Sequence, residues 1–425
     1  MAQPGKLLNE GKTKIIYEIN PDRAGHVLIS SKDRITAGDG AKSDEMKGKA
    51  VVSNRTASMI FKYLNEVGIY NHFVEANDDR SFIARRCHMI PLEFVTRRLA
   101  TGSFLKRNLG VHEGFVFAPP KLETFFKDDA NHDPQWSYEQ VVCAKLQYQT
   151  KKGLVVITKD KVNLMLELTG TIFEILERAW RSQDCTLVDM KIEFGVDDET
   201  GEIILADMID SDSWRLWPHG DRKQMKDKQV YREIAKATAE DLVKVKTNFE
   251  WIADRLDEIF AHKINARAVI FMGSASDLEY AEKIAKEVRS FGIQAVLQVF
   301  SAHKTTAYTL EQAAEFEADG VPTVFVAVAG RSNGLGPVLS GNVVSPVINC
   351  PPPSDRITED VWSSLRLPTG LGCTTVLSPD AAALAVANII GLSDYRVWAQ
   401  VKARLYNQKV TIVRANEKIQ GAASK

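Results

Sequence analysis

No stretch of this 425-residue chain strings together the roughly 20 apolar residues that span a bilayer, which excludes a helical membrane protein. The opening MAQPGKLLNEGKTK has no signal-peptide core, so the cytoplasm is the expected location. Net charge is also scarce. A formal balance of −1 gives no electrostatic reason to expect nucleic acid or a membrane surface as a partner. Cysteine is sparse: Cys87, Cys143, Cys185, Cys350 and Cys373 are odd in number and lack the paired spacing of a metal site, as free thiols in a reducing compartment would be. Repeats and low-complexity segments are missing. What remains is an ordinary globular composition, 44% hydrophobic, in a chain too long for one compact core. At least two domains are expected.

The texture changes once along the chain. The first half mixes hairpin signals with helices and ends on EDLVKVKTNFEWIADRLDEIFAHK. There Leu242, Val245, Phe249, Ile252, Leu256, Ile259 and Phe260 recur at helical spacing. From Arg267 apolar strand-like runs (RAVIFM, QAVLQVF, TVFVAVAG, SPVINC) alternate with helical patterns and close on PDAAALAVANIIGL. That alternation predicts a doubly wound, three-layer αβα domain with a parallel sheet, whose ligands bind beyond the carboxyl ends of the strands. The expected division is 1–261 and 267–425, joined by 262–266.

In LVDMKIEFGVDDETGEIILADMIDSDSWRLW, the residues Val188, Met190, Ile192, Phe194 and Val196 form an apolar row at period two. The opposite row carries Asp189, Lys191 and Glu193. A hairpin folded about Thr200 would set Glu193 opposite Asp207, with Cβ atoms about 5 Å apart. Like charges facing across a ladder destabilise it unless a cation lies between them. Magnesium, which takes hard oxygen ligands and bridges nucleotide phosphates, is the natural candidate, with Asp189 nearby. Lys191 could offset a substrate anion beside it. Further upstream, LLNEGKTKIIYEI puts Gly11, Lys12, Thr13 and Lys14 in a turn where amides and ammonium groups could meet phosphate, although such a turn alone is an ordinary hairpin. PLEFVTRRLATGSFLKRN gathers Arg97, Arg98, Ser103, Lys106 and Arg107 around a small-residue turn suited to a phosphomonoester. FFKDDANHDPQW sets Lys127 beside Asp128.

MIPLEFVTRRLATGS and LVDMKIEFG resemble the two signature segments of the SAICAR synthetase family, and EGKTK, KDDANHDPQ and DSDSWRLW fall in that family's order. The resemblance covers roughly residues 6–260. It implies an ATP-grasp-like α+β fold and an ATP-dependent ligase that joins aspartate to the carboxylate of carboxyaminoimidazole ribotide (CAIR). Lys12 and Lys14, with Gly11 and Thr13, would then hold ATP phosphates. Glu193 and Asp207, with Asp189, would hold magnesium. Arg97, Ser103 and Arg215 would grip the ribotide phosphate, Asp212 the ribose hydroxyls and Lys191 the reacting carboxylate, while Lys127 and Asp128 line the neighbouring pocket.

In the second half, VIFMGSASDLEYAEKI places Gly273, Ser274, Ser276 and Asp277 at a strand–helix turn, where amides and hydroxyls favour an anion and Asp277 suits a cap or ribose hydroxyls. VFSAHKTTAYTL puts Ser301, His303 and Lys304 on the same rim, and VAVAGRSNGLGPVLSGN adds Arg331, Ser332, Asn333 and Gly334. These loops resemble the aminoimidazole ribotide (AIR) carboxylase family over roughly 267–393, in its animal-type class, which uses carbon dioxide directly. The resemblance implies His303 and Lys304 as catalytic groups, a small-residue carbon dioxide pocket at 331–334, and no biotin, metal or ATP for this half. Both halves in one chain resemble the bifunctional animal-type enzymes of purine biosynthesis, a carboxy-lyase fused to a C–N ligase. Their substrates are small molecules and their assembly is octameric. The alternative is a ligase whose second domain is a non-catalytic nucleotide-binding module. The sequence assigns no role to 353–360.

Overall fold

The computed structural model describes residues 1–19, 23–38 and 40–423. They divide into two compact units, Met1–His262 with Ala403–Lys425, and Lys263–Lys402. No helix among them is long and apolar enough to cross a membrane.

The first unit is built on two antiparallel sheets. One runs in the order Leu7–Glu10, Lys14–Glu18, His26–Ser31, Ser81–Arg85, Phe73–Ala76. The other runs Gln135–Trp136, Val116–Phe126, Cys87–Leu99, Cys185–Asp197, Ile203–Ala206. Trp214–Pro218 also pairs with Cys185–Asp197, beside its amino-terminal half. The apolar row expected there is sealed, with Val188, Met190, Ile192, Phe194 and Val196 each at most 1% exposed. The helix Lys159–Arg181 covers that face. Its start is fixed by the Thr158 hydroxyl, which accepts from the Lys161 amide at 3.4 Å. Phe94 and Phe194 meet edge to face at 5.0 Å across the paired strands. The opposite face of the same sheet carries the charges, and it is there that chemistry can be built.

The long helix expected near 240–263 spans Ala239–Ala261 and opens with a capping box between Thr238 and Asp241. The hairpin register differs from the expected one. Glu193 pairs with Ala206, not Asp207. The Asp197 carboxylate accepts the amides of Glu199 and Thr200 at 2.8 and 2.9 Å, which centres the turn half a residue early. Asp207 then leaves the ladder in a left-handed conformation, φ +65°.

The second unit is the doubly wound domain the alternation implied. Arg267–Met272 and Thr323–Val328 are buried along their whole length. The parallel strand order is Gln294–Val299, Arg267–Met272, Thr323–Val328, Val347–Asn349, Thr374–Thr375. In chain order that is second, first, third, fourth, fifth. The switch point lies between the first and third strands, where connections depart in opposite directions and a crevice must open. The open segment near 353–360 contributes two short helices, Ile357–Asp360 and Trp362–Leu365.

Candidate active sites of the two units

Ladder pairing lines the charged face of the first unit up in rows, because directly opposed residues share a face. One row is Glu93–Glu193–Ala206, the next Glu123–Val95–Lys191, the next Lys121–Arg97–Asp189–Arg215. Like charges do face each other across the ladder, but the pair is Glu193 with Glu93. The cation between them is the Lys191 ammonium, which donates to Glu93 at 2.8 Å and to Glu193 at 2.7 Å. Lys127 donates to the second oxygen of Glu193 at 2.8 Å. Lys14, at the start of its strand, forms an ion pair with Asp207. The Glu193–Asp207 pair expected from the sequence is therefore corrected. The two carboxylates belong to one site, but from different rows, and lysines neutralise both.

Electrostatics follow from this crowding. Burial would raise the Glu193 carboxyl, but Lys191, Lys127 and Lys14 outweigh it and hold it down at about 2. Burial works against the Lys191 charge, and Glu193 and Glu93 more than restore it, leaving the ammonium above its ordinary range. Burial lowers Lys14 to about 8 despite the opposing pull of Glu193.

Asp189 is placed elsewhere than expected. Its Oδ2 accepts from Arg97 Nη1 at 2.8 Å and from Arg215 Nη1, so two guanidinium groups occupy that oxygen. The expectation that Asp189 helps to hold magnesium therefore meets two guanidinium groups on Oδ2. Arg98, one residue on from Arg97, points the other way to Glu177 and the Phe117 carbonyl. The turn before Ser103 needs glycine. Gly102 has φ +59°, and a Cβ there would come within 2.7 Å of Arg215 Nη2. Asp212 receives Lys49 at 3.3 Å and Lys228 at 3.2 Å. Burial would raise its carboxyl, and those two lysines bring it to about 2. At the outer turn, Gly11 and Thr13 hold the backbone in place through Gly11 N to Lys14 O and Lys32 N to Thr13 O, while Lys12 pairs with Asp129 at 3.0 Å. Asp128 accepts from the Asn131 amide group at 2.7 Å. Among the described residues no group of three or more His, Cys, Asp or Glu converges as a metal cluster.

Sequence reasoning missed Glu93, Glu123, Lys49 and Lys228. Lys49 is 1% exposed at the first turn of its helix, and Glu123 is 5% exposed. Only a three-dimensional register reveals them, since neither sits in a distinctive local pattern.

In the second unit the three rim loops follow the first, second and third strands. Ser274 Oγ accepts from the Ser276 amide at 3.3 Å and from its hydroxyl at 2.9 Å, which shapes the turn. Gly273 is close-packed, and a Cβ would lie 3.3 Å from that of Ala329. Asp277 reaches toward Gly330, and burial raises its carboxyl. The Ser301 hydroxyl accepts from the Lys304 amide at 3.3 Å. His303 lies over Gly334: a Cβ on that glycine would be 3.1 Å from Cε1 and 3.3 Å from Nε2, with Ser332 Oγ 3.5 Å away. Arg331 adopts φ +58° and, like Ser332, is exposed. Asn333 points inward. Its side chain is fully buried and donates to the Ala329 carbonyl at 2.7 Å, so it braces the loop from within. Its backbone amide donates to Ser363 Oγ at 3.1 Å, and Ser364 Oγ bonds its carbonyl at 3.2 Å, which gives the short helices after 356 a role in holding this rim.

Comparison with known proteins matches residues 7–248 to the SAICAR synthetase family and residues 267–411 to the AIR carboxylase family. The chain is 56% identical over 416 residues to the multifunctional protein ADE2 of Gallus gallus, covering 98% of this chain and 96% of that protein. It is 55% identical over 416 residues to the bifunctional phosphoribosylaminoimidazole carboxylase/phosphoribosylaminoimidazole succinocarboxamide synthetase of Homo sapiens, covering 98% and 97%. Among solved structures it is similar to a SAICAR synthetase in complex with ADP, at TM-score 0.51 and 30% identity, over 60% of this chain and 98% of that one.

Proposed function

The chain belongs to the SAICAR synthetase and AIR carboxylase families, joined as in the bifunctional animal enzymes, and from that premise we propose how its two sites divide the work. It is a bifunctional enzyme of purine biosynthesis, with a carboxylase that makes CAIR and a ligase that makes SAICAR. The observation that carries this is identity above one half, continuous through both units.

In the ligase half, Lys12 and Lys14 meet ATP phosphates beside the turn formed by Gly11 and Thr13, in an ATP-grasp-like cleft. Glu193 and Asp207 fit magnesium by the chemistry of their donors: hard carboxylate oxygens that already draw ammonium groups in. When bound, the ion would neutralise phosphate oxygens. The other steps fall to side chains. Arg97, Ser103 and Arg215 hold the ribotide phosphate, Asp212 its ribose hydroxyls, and Lys127 and Asp128 the neighbouring wall. Lys191, kept protonated between Glu93 and Glu193, offsets the substrate carboxylate. That carboxylate oxygen attacks the γ-phosphorus and ADP departs. The aspartate amine then attacks the acyl carbon, phosphate leaves, and the amine proton passes to solvent. Charge neutralisation and alignment suffice, with no protein nucleophile.

In the carboxylase half the enamine carbon of AIR attacks carbon dioxide, and His303 takes the ring proton that must leave. Gly273, Ser274, Ser276, Ser301 and Lys304 receive the phosphate or the new carboxylate. Asp277 faces the ribose, and Arg331, Ser332 and Gly334 border the carbon dioxide pocket. The nucleophilic ring makes biotin, ATP and metal unnecessary for this half. A cytoplasmic octamer belongs to the same reading. Exposed apolar side chains on the second unit, Val299, Val344, Trp362 and Leu392 among them, support assembly.

The test is an omission series with AIR, bicarbonate, ATP, magnesium and aspartate. CAIR should form without ATP, magnesium or aspartate, and SAICAR only with all of them. SAICAR formed without magnesium would overturn the metal assignment, and CAIR formation that needs ATP would overturn the carboxylase reading.

A further inference from the structure

Five charged side chains in the first unit form an unbroken alternating chain: Arg107, Glu123, Arg97, Asp189, Arg215. Glu123 receives Arg97 Nε on one oxygen at 2.5 Å and Arg107 Nη2 on the other at 2.8 Å. Asp189 in turn joins Arg97 to Arg215. Gln135 completes the Glu123 end, accepting from Arg107 Nε at 3.2 Å and donating to Glu123 at 3.3 Å. Arg97 is 4% exposed, and Glu123 and Asp189 are 5% exposed.

The arrangement is costly unless it serves a purpose. Two buried carboxylates repay desolvation only when every lone pair is used, and a simple ion pair would not need three arginines. Three guanidinium groups against two carboxylates leave one positive charge over, held at fixed positions. Arg97 Nη2 and Arg107 Nη1 have no acceptor among the described residues, so each guanidinium keeps a terminal nitrogen for another anion. The two groups are bound to the two oxygens of one carboxylate, which keeps them adjacent.

We propose that Glu123 is a positioning residue that orients Arg97 and Arg107 together, and that Arg107 is a third arginine contacting the ribotide phosphate in the ligase half. The proposal rests on the reading that Arg97 and Arg215 hold that phosphate. Arg107 stands at the end of the short helix Ser103–Arg107, tied through Glu123 to Arg97 and through Asp189 to Arg215, so it would add a third guanidinium to the grip on a phosphomonoester. Glu123 touches no substrate. It fixes two rotamer-rich side chains beforehand, lowering the entropy lost on binding.

The experiment measures ligation in the full chain with Arg107→Met, Arg107→Lys, Glu123→Gln and Arg215→Ala. The substrates are CAIR and its dephosphorylated nucleoside. Urea melts followed on the first unit's tryptophans, together with an unchanged KM for ATP, report whether each variant's ligase unit has folded. R107M and E123Q should raise KM for CAIR on the order of tenfold to a hundredfold, the loss of one charge-assisted hydrogen bond, and R107K should recover part of it. KM for ATP and kcat should stay within about twofold. With the nucleoside, wild type and R107M should become equal, since the missing partner is the phosphate. If R215A raises KM for CAIR while R107M and E123Q leave it unchanged, the proposal is wrong and the site reading stands. If R215A also changes nothing, the site reading itself falls. Should the unpaired charge stop E123Q from folding, R107M alone decides, because its side chain is partly exposed and tolerates replacement.

Discussion

Lys14 holds its charge against burial, and that makes it sensitive to pH in the working range. Its ammonium is present below about 8 and is lost as pH rises through that value. Attraction for phosphate goes with it. In the free enzyme kcat/KM for ATP should therefore fall above pH 8, approaching tenfold per unit, whereas Lys14→Arg, charged at every accessible pH, should show no such limb. A flat wild-type profile to pH 9.5 would remove Lys14 from the phosphate site. Glu193 answers to the opposite sign. Its carboxyl is depressed to about 2, so its ion pairs stabilise the fold fully above the ordinary value near 4.5, and that contribution fades as pH falls toward 2. Glu193→Gln leaves Lys191 and Lys127 under-compensated. The variant should lose about 3 kcal/mol at pH 7, narrowing at pH 3 in urea melts, and should lose ligation while carboxylation continues. Equal destabilisation at both pH values would show that the ion pairs are not its source.

The strands and loops decide which residues meet. Gly334 sits under His303 with an ordinary backbone conformation, φ −69°, so a methyl group there adds steric pressure without backbone strain. Gly334→Ala should cut carboxylation at least tenfold with ligation of added CAIR unchanged, and full carboxylation would mean the ring does not need its present position. The elements themselves were largely legible. The period-two row of Val188 to Val196, the helix at 239–261 and the strand–helix alternation from Arg267 all follow from hydrophobic spacing, because spacing records which face is buried. Register was not legible. Whether Glu193 faces Asp207 or Ala206 depends on two amides accepted by Asp197, a local bond that leaves no periodic trace. Glu93 and Glu123 were invisible for a related reason: they enter the site through ladder partners distant in sequence. The acidity of Asp189 is apparent in the sequence, whereas its two arginine partners, which reach it across the ladder, are not.

At the scale of the whole chain, one site makes what the other consumes, and the two are separable by mutation because no residue assigned to one serves the other. His303→Asn should abolish CAIR formation and leave ligation of added CAIR intact, which also decides against a silent second domain, since a silent module has no use for that histidine. The two single-site variants then report how CAIR travels. If CAIR leaves its site of origin for bulk solvent, separately purified H303N and E193Q chains, mixed with AIR, bicarbonate, ATP, magnesium and aspartate, should make SAICAR that neither makes alone. The lag should shorten as E193Q is raised, because CAIR must first build up toward its KM at the ligase site of H303N. Isotope-labelled CAIR added to wild type should dilute the product in proportion. If added CAIR fails to dilute the SAICAR made from AIR by wild type, while H303N ligates the same added CAIR freely, the intermediate passes within an assembled enzyme without reaching solvent, and the free-diffusion account fails.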